Sequence, residues 1–177
     1  MNVLLINGSP HKNGCTNAAL TEMAKVLNEA GIETTIYHIG AVPVGGCVGC
    51  GGCSKAGKCV FGGPVADVLP LVEKADGIVF GAPVHYATAA ASMLGFMHRL
   101  AISGGKYLRH KPAAVVTSAR RAGTTTALEA MEKVPQFFEM PLISSTYWPM
   151  VHGGKAEEVL SDEEGLQIMR NLGRNMA

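Results

Sequence analysis

The chain has 177 residues, a length typical of one domain. Apolar residues make up 47% of it, charged residues only 16%, and the formal net charge is +1. This composition excludes an intrinsically disordered protein and gives no electrostatic basis for binding nucleic acid. The longest apolar stretches fall short of the roughly 20 residues that a membrane-spanning helix needs, so no membrane partner is expected.

The chain enters an apolar run at once, without a basic leader or a cleavage site. We therefore expect a cytoplasmic protein, in which the five cysteines stay reduced.

Five apolar runs rich in Val, Ile and Leu alternate with segments of helical periodicity. The predicted strands, each expected to be buried on both faces, are Asn2 to Ile6, Glu33 to His38, Gly77 to Gly81, Ala113 to Thr117 and Leu142 to Ser145. The predicted helices are Thr16 to Ala30, Pro64 to Lys74, Ala89 to Ile102, Thr124 to Glu139 and Glu157 to Met176. Such alternation predicts a three-layer α/β sandwich, a five-stranded parallel sheet with helices on both faces, in a single domain spanning 1–177.

The loop after the first predicted strand, residues 7–17, reads NGSPHKNGCTN and leads directly into a helix. A helix N-terminus offers unpaired N–H groups to an anion, and Ser9, Thr16 and Asn17 add hydroxyl and amide groups. These residues fit a phosphate group, although Ser and Asn could instead only cap the helix. Neither Gly-x-Gly-x-x-Gly nor the Gly-Lys-Ser/Thr of a P-loop is present, which disfavours classical NAD and nucleoside triphosphate sites.

Cys15 lies in this loop, at the start of the helix. The helix dipole would lower the pKa of its thiol and make it reactive. The alternative, which we favour, is a small residue whose backbone N–H contacts the anion.

The interval 40–63 breaks the strand–helix alternation with nine glycines and four cysteines. The cysteines follow the spacing C-x2-C-x2-C-x5-C and are Cys47, Cys50, Cys53 and Cys59. Four thiolates between flexible glycines can converge on one centre, as a [4Fe–4S] cluster requires. Structural zinc, a redox disulfide and four free thiols stay open as alternatives, although zinc usually takes two well-separated C-x2-C pairs. Lys55 and Lys58 could offset the negative charge of a cluster.

Two small-residue loops follow the third and fourth predicted strands, where an open α/β sheet places its ligands. Their polar and rigid residues are Pro83, Val84, His85 and Tyr86 in the first loop and Ser118, Arg120 and Gly123 in the second. Pro83 stiffens a turn that can hold backbone amides against a planar ring, and His85 or Tyr86 can lie along it. An arginine of the second loop can neutralise an anionic ring edge.

Taken in order, these loops resemble those of the flavodoxin-like NAD(P)H-dependent FMN reductase family. The resemblance rests on Asn7-Gly8-Ser9-Pro10 with Gly14 to Asn17, Ala82 to Tyr86, Arg120-Arg121 with Gly123, and Tyr147-Trp148 followed by Gly153-Gly154. It implies a flavodoxin-like sandwich in which the first loop binds the FMN phosphate and the other two bracket the isoalloxazine. The implied cofactor-binding residues are Ser9, His11, Gly14, Cys15, Thr16, Asn17, Pro83, Val84, His85, Tyr86, Ser118, Arg120 and Gly123.

The cysteine spacing resembles that of the iron–sulfur flavoproteins, a branch of the same family that passes single electrons between a cluster and FMN. The resemblance implies that Cys47, Cys50, Cys53 and Cys59 ligate [4Fe–4S]. One departure is plain: many relatives have an acidic pair after the last cysteine, whereas Val60-Phe61 follows here.

The resemblance further implies an FMN-dependent oxidoreductase with no catalytic residue beyond the flavin. Electrons would come from NAD(P)H or a one-electron carrier protein and pass through FMN to a small-molecule or protein acceptor. The alternatives are a cluster-free NAD(P)H:quinone or flavin reductase and a non-catalytic electron carrier of flavodoxin type. A homodimer or homotetramer is also implied, with Ala87 to Leu100 supplying dimer contacts.

Two weaker features complete the sequence. His98 and His110, which adjoin Arg99 and Arg109, are expected to be ordinary surface histidines. The stretch Ser161 to Glu164 has the form of a capping box, whose acidic residues suit a helix start.

Overall fold

Strands and helices alternate through the whole chain in the computed structural model, which describes residues 1–177. The strands are β1 (Asn2–Asn7), β2 (Glu33–His38), β3 (Gly77–His85), β4 (Thr88–Ala89), β5 (Ala113–Ala119) and β6 (Met150–His152). The helices are α1 (Cys15–Glu29), α2 (Cys53–Ala56), α3 (Pro64–Lys74), α4 (Ala91–Gly104), α5 (Thr124–Phe137), α6 (Ala156–Val159) and α7 (Glu163–Met176), with a 3-10 turn at Gly105–Tyr107. None of these helices combines the length and the hydropathy needed to cross a bilayer.

Five strands run parallel in the order β2-β1-β3-β5-β6, and β4 forms an antiparallel hairpin with the end of β3. The chain moves from β1 to one edge of the sheet and then crosses to the other side of β1. This reversal places a crevice at the carboxyl ends of β1 and β3, the usual ligand position in an open α/β sheet.

Both faces of the sheet are covered, which confirms the predicted three-layer sandwich. Within β1, Leu4 and Ile6 join a buried cluster of 25 residues on one face, while Val3 and Leu5 join a cluster of 17 on the other. The alternation follows from the two-residue period of a strand. The first cluster is built with α3, α4 and α5, and the second with α1 and α7.

The predicted fifth strand, Leu142 to Ser145, is wrong. Only Leu142 makes an isolated parallel bridge, to Ala113, and the last strand of the sheet is β6. Beyond the bridge, polar groups tie the segment to α7: Ser145 Oγ donates to the carbonyl of Ile168 at 2.8 Å. Such ties, formed with a helix far along the chain, are not readable from a short apolar run.

Two other predictions need correction. β2 is not buried on both faces, because it is an edge strand with Glu33, Thr35 and Ile36 exposed. The helix predicted from Glu157 to Met176 is two helices, α6 and α7, separated by a turn.

Candidate functional site

A cleft of about 840 Å³ opens at the carboxyl edge of the sheet, where β1, β3 and β5 end. Residues from all three predicted loops line it. The predicted residues that it brings together are Ser9, His11, Gly14, Cys15, Thr16, Pro83, Val84, His85, Ser118 and Arg120. Asn17, Tyr86 and Gly123 do not line it.

The loop before α1 is folded by its own polar groups. Ser9 donates its N–H to Asn7 Oδ1 at 3.0 Å, and its hydroxyl oxygen accepts from the N–H of His11 at 3.1 Å. His38, at the end of β2, fixes the same loop through a 2.8 Å bond between Nε2 and the Ser9 carbonyl. The loop is therefore stabilised both by its own hydrogen bonds and by a hydrogen bond from β2.

The first turn of α1 has no side-chain cap. Its N-cap is Gly14, and no side chain accepts from the turn there. The initial N–H groups of a helix have no intrahelical partner and carry partial positive charge, so an uncapped turn facing a cleft is suited to a phosphate. The loop therefore fits an anion better than it fits simple helix capping.

Two hydroxyl groups join this loop to β5. Thr16 Oγ1 and Ser118 Oγ are 2.8 Å apart, and both residues are buried. Asn17 turns away from the cleft instead: its Oδ1 accepts from Asn7 Nδ2 at 3.4 Å, and its Nδ2 donates to Thr21 at 3.5 Å. The Asn17 side chain therefore braces the loop rather than facing a ligand.

The predicted ring loop after β3 is a two-residue hairpin. Tyr86 and Ala87 both have positive φ, 50° and 60°, as a type I′ turn requires. Tyr86 is fully exposed at the tip. Gly123 contributes by close approach, because a Cβ at this position would lie 2.6 Å from Ala87 Cα. The loops after β3 and β5 therefore pack directly on each other.

Sequence reasoning missed several residues at the far wall of the cleft. One of them is Lys12. The others belong to the turn that leads into α6 and are Gly153, Gly154, Lys155 and Glu157. The Gly153-Gly154 pair was the available signal. Arg120 lies beside it, because a Cβ on Gly154 would make ordinary van der Waals contact with Arg120 Cδ, at 3.8 Å.

The electrostatics of the cleft favour an anion. Lys12, Arg120 and Lys155 line it, and none of the three forms an ion pair within the chain. Glu157 is the one carboxylate among the lining residues. A chain of net charge +1 thus gathers unpaired positive charge at this edge of the sheet.

The reactive-thiol interpretation of Cys15, the less favoured of the two alternatives, is wrong, because the pKa of this thiol is not lowered. Burial raises the pKa of this thiol above its ordinary value; a backbone hydrogen bond opposes the rise, and Glu158 and Glu157 add to it. The sulfur lies 3.4 Å from the carbonyl oxygen of Gly153. Cys15 therefore has no activated thiol, and it packs from the start of α1 against the turn at Gly153 and Gly154.

A second, smaller cavity of about 210 Å³ lies under the 40–63 interval. All four predicted ligands, Cys47, Cys50, Cys53 and Cys59, line it. No three cysteine, histidine or acidic side chains converge closely enough to bind a single metal ion. The four cysteines nevertheless border one shared cavity. Four thiols around one cavity are thus the donor set that fits a four-iron cluster.

The cation that faces the four thiols is Arg99, and not Lys55 or Lys58 as expected. Lys55 and Lys58 are exposed and do not line the cavity. Arg99 of α4 does, and it donates to Cys59 Sγ from Nε at 3.3 Å and from Nη2 at 3.2 Å. Nothing in the sequence connects two residues that lie 40 positions apart.

Known proteins resemble this chain in sequence and in fold. The family model of NADPH-dependent FMN reductases matches residues 1–155. An iron–sulfur flavoprotein of Methanocaldococcus jannaschii is 30% identical, over all of this chain and 96% of that protein. One of Clostridioides difficile is 27% identical over 76% of this chain and 61% of its own length.

Solved structures confirm the fold. A flavodoxin from the domain Archaea superposes with a TM-score of 0.68 at 15% identity, covering all of this chain and 96% of the other. An NADH:FMN oxidoreductase in its apo form gives a TM-score of 0.70 at 17% identity, covering 99% of this chain and 87% of the other. The fold is thus flavodoxin-like, and the chain belongs to the NADPH-dependent FMN reductase family, among relatives that include iron–sulfur flavoproteins.

Proposed function

We propose that this protein is an FMN-dependent oxidoreductase that takes electrons from NAD(P)H or from a one-electron carrier and holds a [4Fe–4S] cluster on its four loop cysteines. The observation that carries the proposal is the cleft, in which an uncapped helix N-terminus and unpaired cations face the loops after β3 and β5. Its polar end suits a phosphate, and Pro83 and Val84 suit a planar ring.

Different residues of the cleft would bind the phosphate and the ring of FMN. The first-turn N–H groups of α1 and the Lys12 ammonium would hold the phosphate. Pro83, Val84 and His85 would lie along the ring, with Ser118 and Arg120 on the other side of the cleft. When bound, FMN supplies the redox chemistry, because it takes up electrons in pairs or singly.

Arg120 has a distinct electrostatic role in this scheme. Its guanidinium has no carboxylate partner in the chain and lines the cleft beside Gly154. A fixed positive charge near the ring would stabilise negative charge on the reduced cofactor. Arg121, its neighbour, does not line the cleft and provides a matched comparison.

The cellular setting and assembly are part of the proposal. Five free cysteines suit a reducing, cytoplasmic compartment. A homodimer or homotetramer would form through residues 87–100, next to the fully exposed Tyr86. The electron acceptor would be a small molecule or a protein.

Anaerobic purification followed by absorption spectroscopy and iron and sulfide analysis tests the cofactor content. The expected result is FMN together with about four irons and four sulfides per chain. FMN without iron would support a cluster-free reductase, and a protein that takes up neither would overturn the proposal.

NAD(P)H oxidation with quinone or free flavin as acceptor tests the activity. In a separate binding measurement, we expect Arg120→Gln to weaken binding of reduced FMN about tenfold, because it removes the positive charge that stabilises the reduced ring. Arg121→Gln should bind FMN as the wild type does. Equal losses in both variants would mean that general charge, not Arg120 at the ring, governs binding.

A further inference from the structure

The guanidinium of Arg99 makes its hydrogen bonds to residues of the 40–63 interval, which holds the four cysteines. Two of its nitrogens donate to Cys59 Sγ, and Nη2 also donates to the carbonyl of Gly62 at 2.9 Å. The residue is half-buried on α4, and its backbone carbonyl accepts from Ser103 Oγ at 2.8 Å. The side chain is thus aimed at the sulfur from a rigid helix.

No carboxylate neutralises this charge. Arg99 forms none of the ion pairs of the chain. It is also the only Lys, Arg, Asp or Glu side chain lining the cysteine cavity. A half-buried guanidinium without a counter-charge is unfavourable, so the site is complete only when the sulfurs carry negative charge.

We infer that Arg99 is a positioning residue that hydrogen-bonds the Cys59 thiolate of the bound cluster and raises the reduction potential of that cluster. The inference rests on the proposed function, because it requires the four cysteines to hold iron. A thiolate sulfur that ligates iron still accepts N–H bonds, and such bonds tune iron–sulfur potentials. Reduction adds one negative charge, and a fixed cation nearby favours the more negative state.

The lysines of the loop do not share this role. Lys58 is adjacent to Cys59 in sequence, yet its side chain is exposed and lies outside the cavity lining. Water screens an exposed charge, so its influence on the cluster should be small. Lys58→Gln therefore removes the same formal charge as Arg99→Gln without removing the contact.

The test is an EPR-monitored redox titration of the reconstituted holoprotein, with dithionite as the one-electron reductant. At a poise where half of the wild-type cluster is reduced, we expect the ratio of reduced to oxidised cluster to fall about tenfold in Arg99→Gln. For a one-electron couple this corresponds to a potential lower by about 59 mV. Lys58→Gln should titrate as the wild type does.

Arg99→Lys keeps the charge but not the planar fork, so its potential should fall between those of Arg99→Gln and the wild type. If Arg99→Gln cannot retain iron, the lysine variant alone decides the matter. The inference is overturned if either Arg99 variant holds the cluster and keeps the wild-type potential. It is also overturned if Lys58→Gln shifts the potential as much as Arg99→Gln does. Both results would leave the proposed function intact. Absence of iron and sulfide from the reconstituted wild type would overturn the cluster assignment itself, and the inference with it.

Discussion

Cys15 occupies a position where two physical effects oppose each other. The helix N-terminus stabilises a thiolate, while burial and the two nearby carboxylates of Glu157 and Glu158 destabilise it. Burial is the largest of these influences, and the pKa of the thiol is raised. Because the folded thiol keeps its proton where the unfolded thiol has lost it, this group favours unfolding as the pH rises above the ordinary cysteine pKa.

The chemical consequence is slow alkylation of Cys15. We expect the pH profile of its reaction with iodoacetamide, followed by mass spectrometry, to rise only above the ordinary cysteine pKa. Glu157→Gln should shift the profile to lower pH, because it removes one of the nearby negative charges. Glu163→Gln, on α7, is the control and should leave it unchanged. A profile that rises below the ordinary value would contradict this account.

Gly95 of α4 packs against the backbone at the start of the 40–63 interval. A Cβ at this position would overlap the carbonyl oxygen of Val44 and lie 2.9 Å from the carbonyl carbon of Gly45. Both are backbone atoms, so the clash cannot be relieved by a rotamer change. The absence of a side chain therefore sets the distance between α4 and the start of the interval.

Gly95→Ala should destabilise the fold by about 1–3 kcal/mol, the usual range for overpacking. Gly46→Ala is the matched control: nothing lies within 4 Å of its Cβ, and we expect a change below about 0.5 kcal/mol. Urea unfolding followed by circular dichroism measures both. Equal stability of the two variants would show that the interval shifts freely.

Among the secondary-structure elements, α7 begins separately from α6 because Asp162 caps its N-terminus. Its Oδ1 accepts from the N–H of Gly165 at 3.0 Å and so caps α7, while Oδ2 accepts from the N–H of His152 at 2.7 Å. The cap is thus Asp162 rather than Ser161, the first residue of the predicted capping box. One carboxylate both starts the helix and ties it to β6.

Asp162→Ala should lower the free energy of unfolding by about 1–2 kcal/mol, the range for loss of an N-cap, with a further loss from the unpaired His152 N–H. Glu164→Ala, in the same first turn, loses only its interaction with the helix dipole and should cost less than about 1 kcal/mol. Thermal unfolding compares them. If the two variants lose the same stability, the cap does not depend on Asp162.

At the scale of the whole molecule, charge is distributed unevenly. The formal net charge is only +1, yet three unpaired cations line the cleft at the carboxyl edge of the sheet. The two cavities share no lining residue, so each has its own electrostatic environment. Net charge therefore says little about either site.

FMN binding should weaken as salt is added. Between about 0.01 M and about 1 M salt the Debye length falls from roughly 30 Å to 3 Å, which screens the attraction between the cleft and the phosphate. Fluorescence titration of apo-protein measures the apparent Kd, which should rise with salt for FMN. Riboflavin lacks the phosphate and should show a much weaker dependence. Parallel salt dependence for the two ligands would contradict a cationic phosphate site.

Local sequence patterns are enough to predict the layers of the fold and the edge of the sheet at which the cleft lies. Buried strands such as β1 and β3 show continuous apolar runs, and the carboxyl ends of parallel strands must meet at one edge. Spacing alone also marked Cys47 to Cys59 as one group, since the four are close in the chain. These features depend on local patterns, and local patterns are legible in a sequence.

Which side chains face each other depends on the tertiary structure. The sheet brings Thr16 against Ser118, α4 brings Arg99 against Cys59, and the turn before α6 completes the cleft with Lys155. The last strand is Met150–His152 rather than the predicted Leu142 to Ser145, because hydrogen bonds to α7 hold the chain away from the sheet after Leu142. Burial likewise raises the pKa of Cys15, against the effect of the helix N-terminus. Each of these outcomes depends on groups far apart in the chain, whose separation no linear pattern encodes.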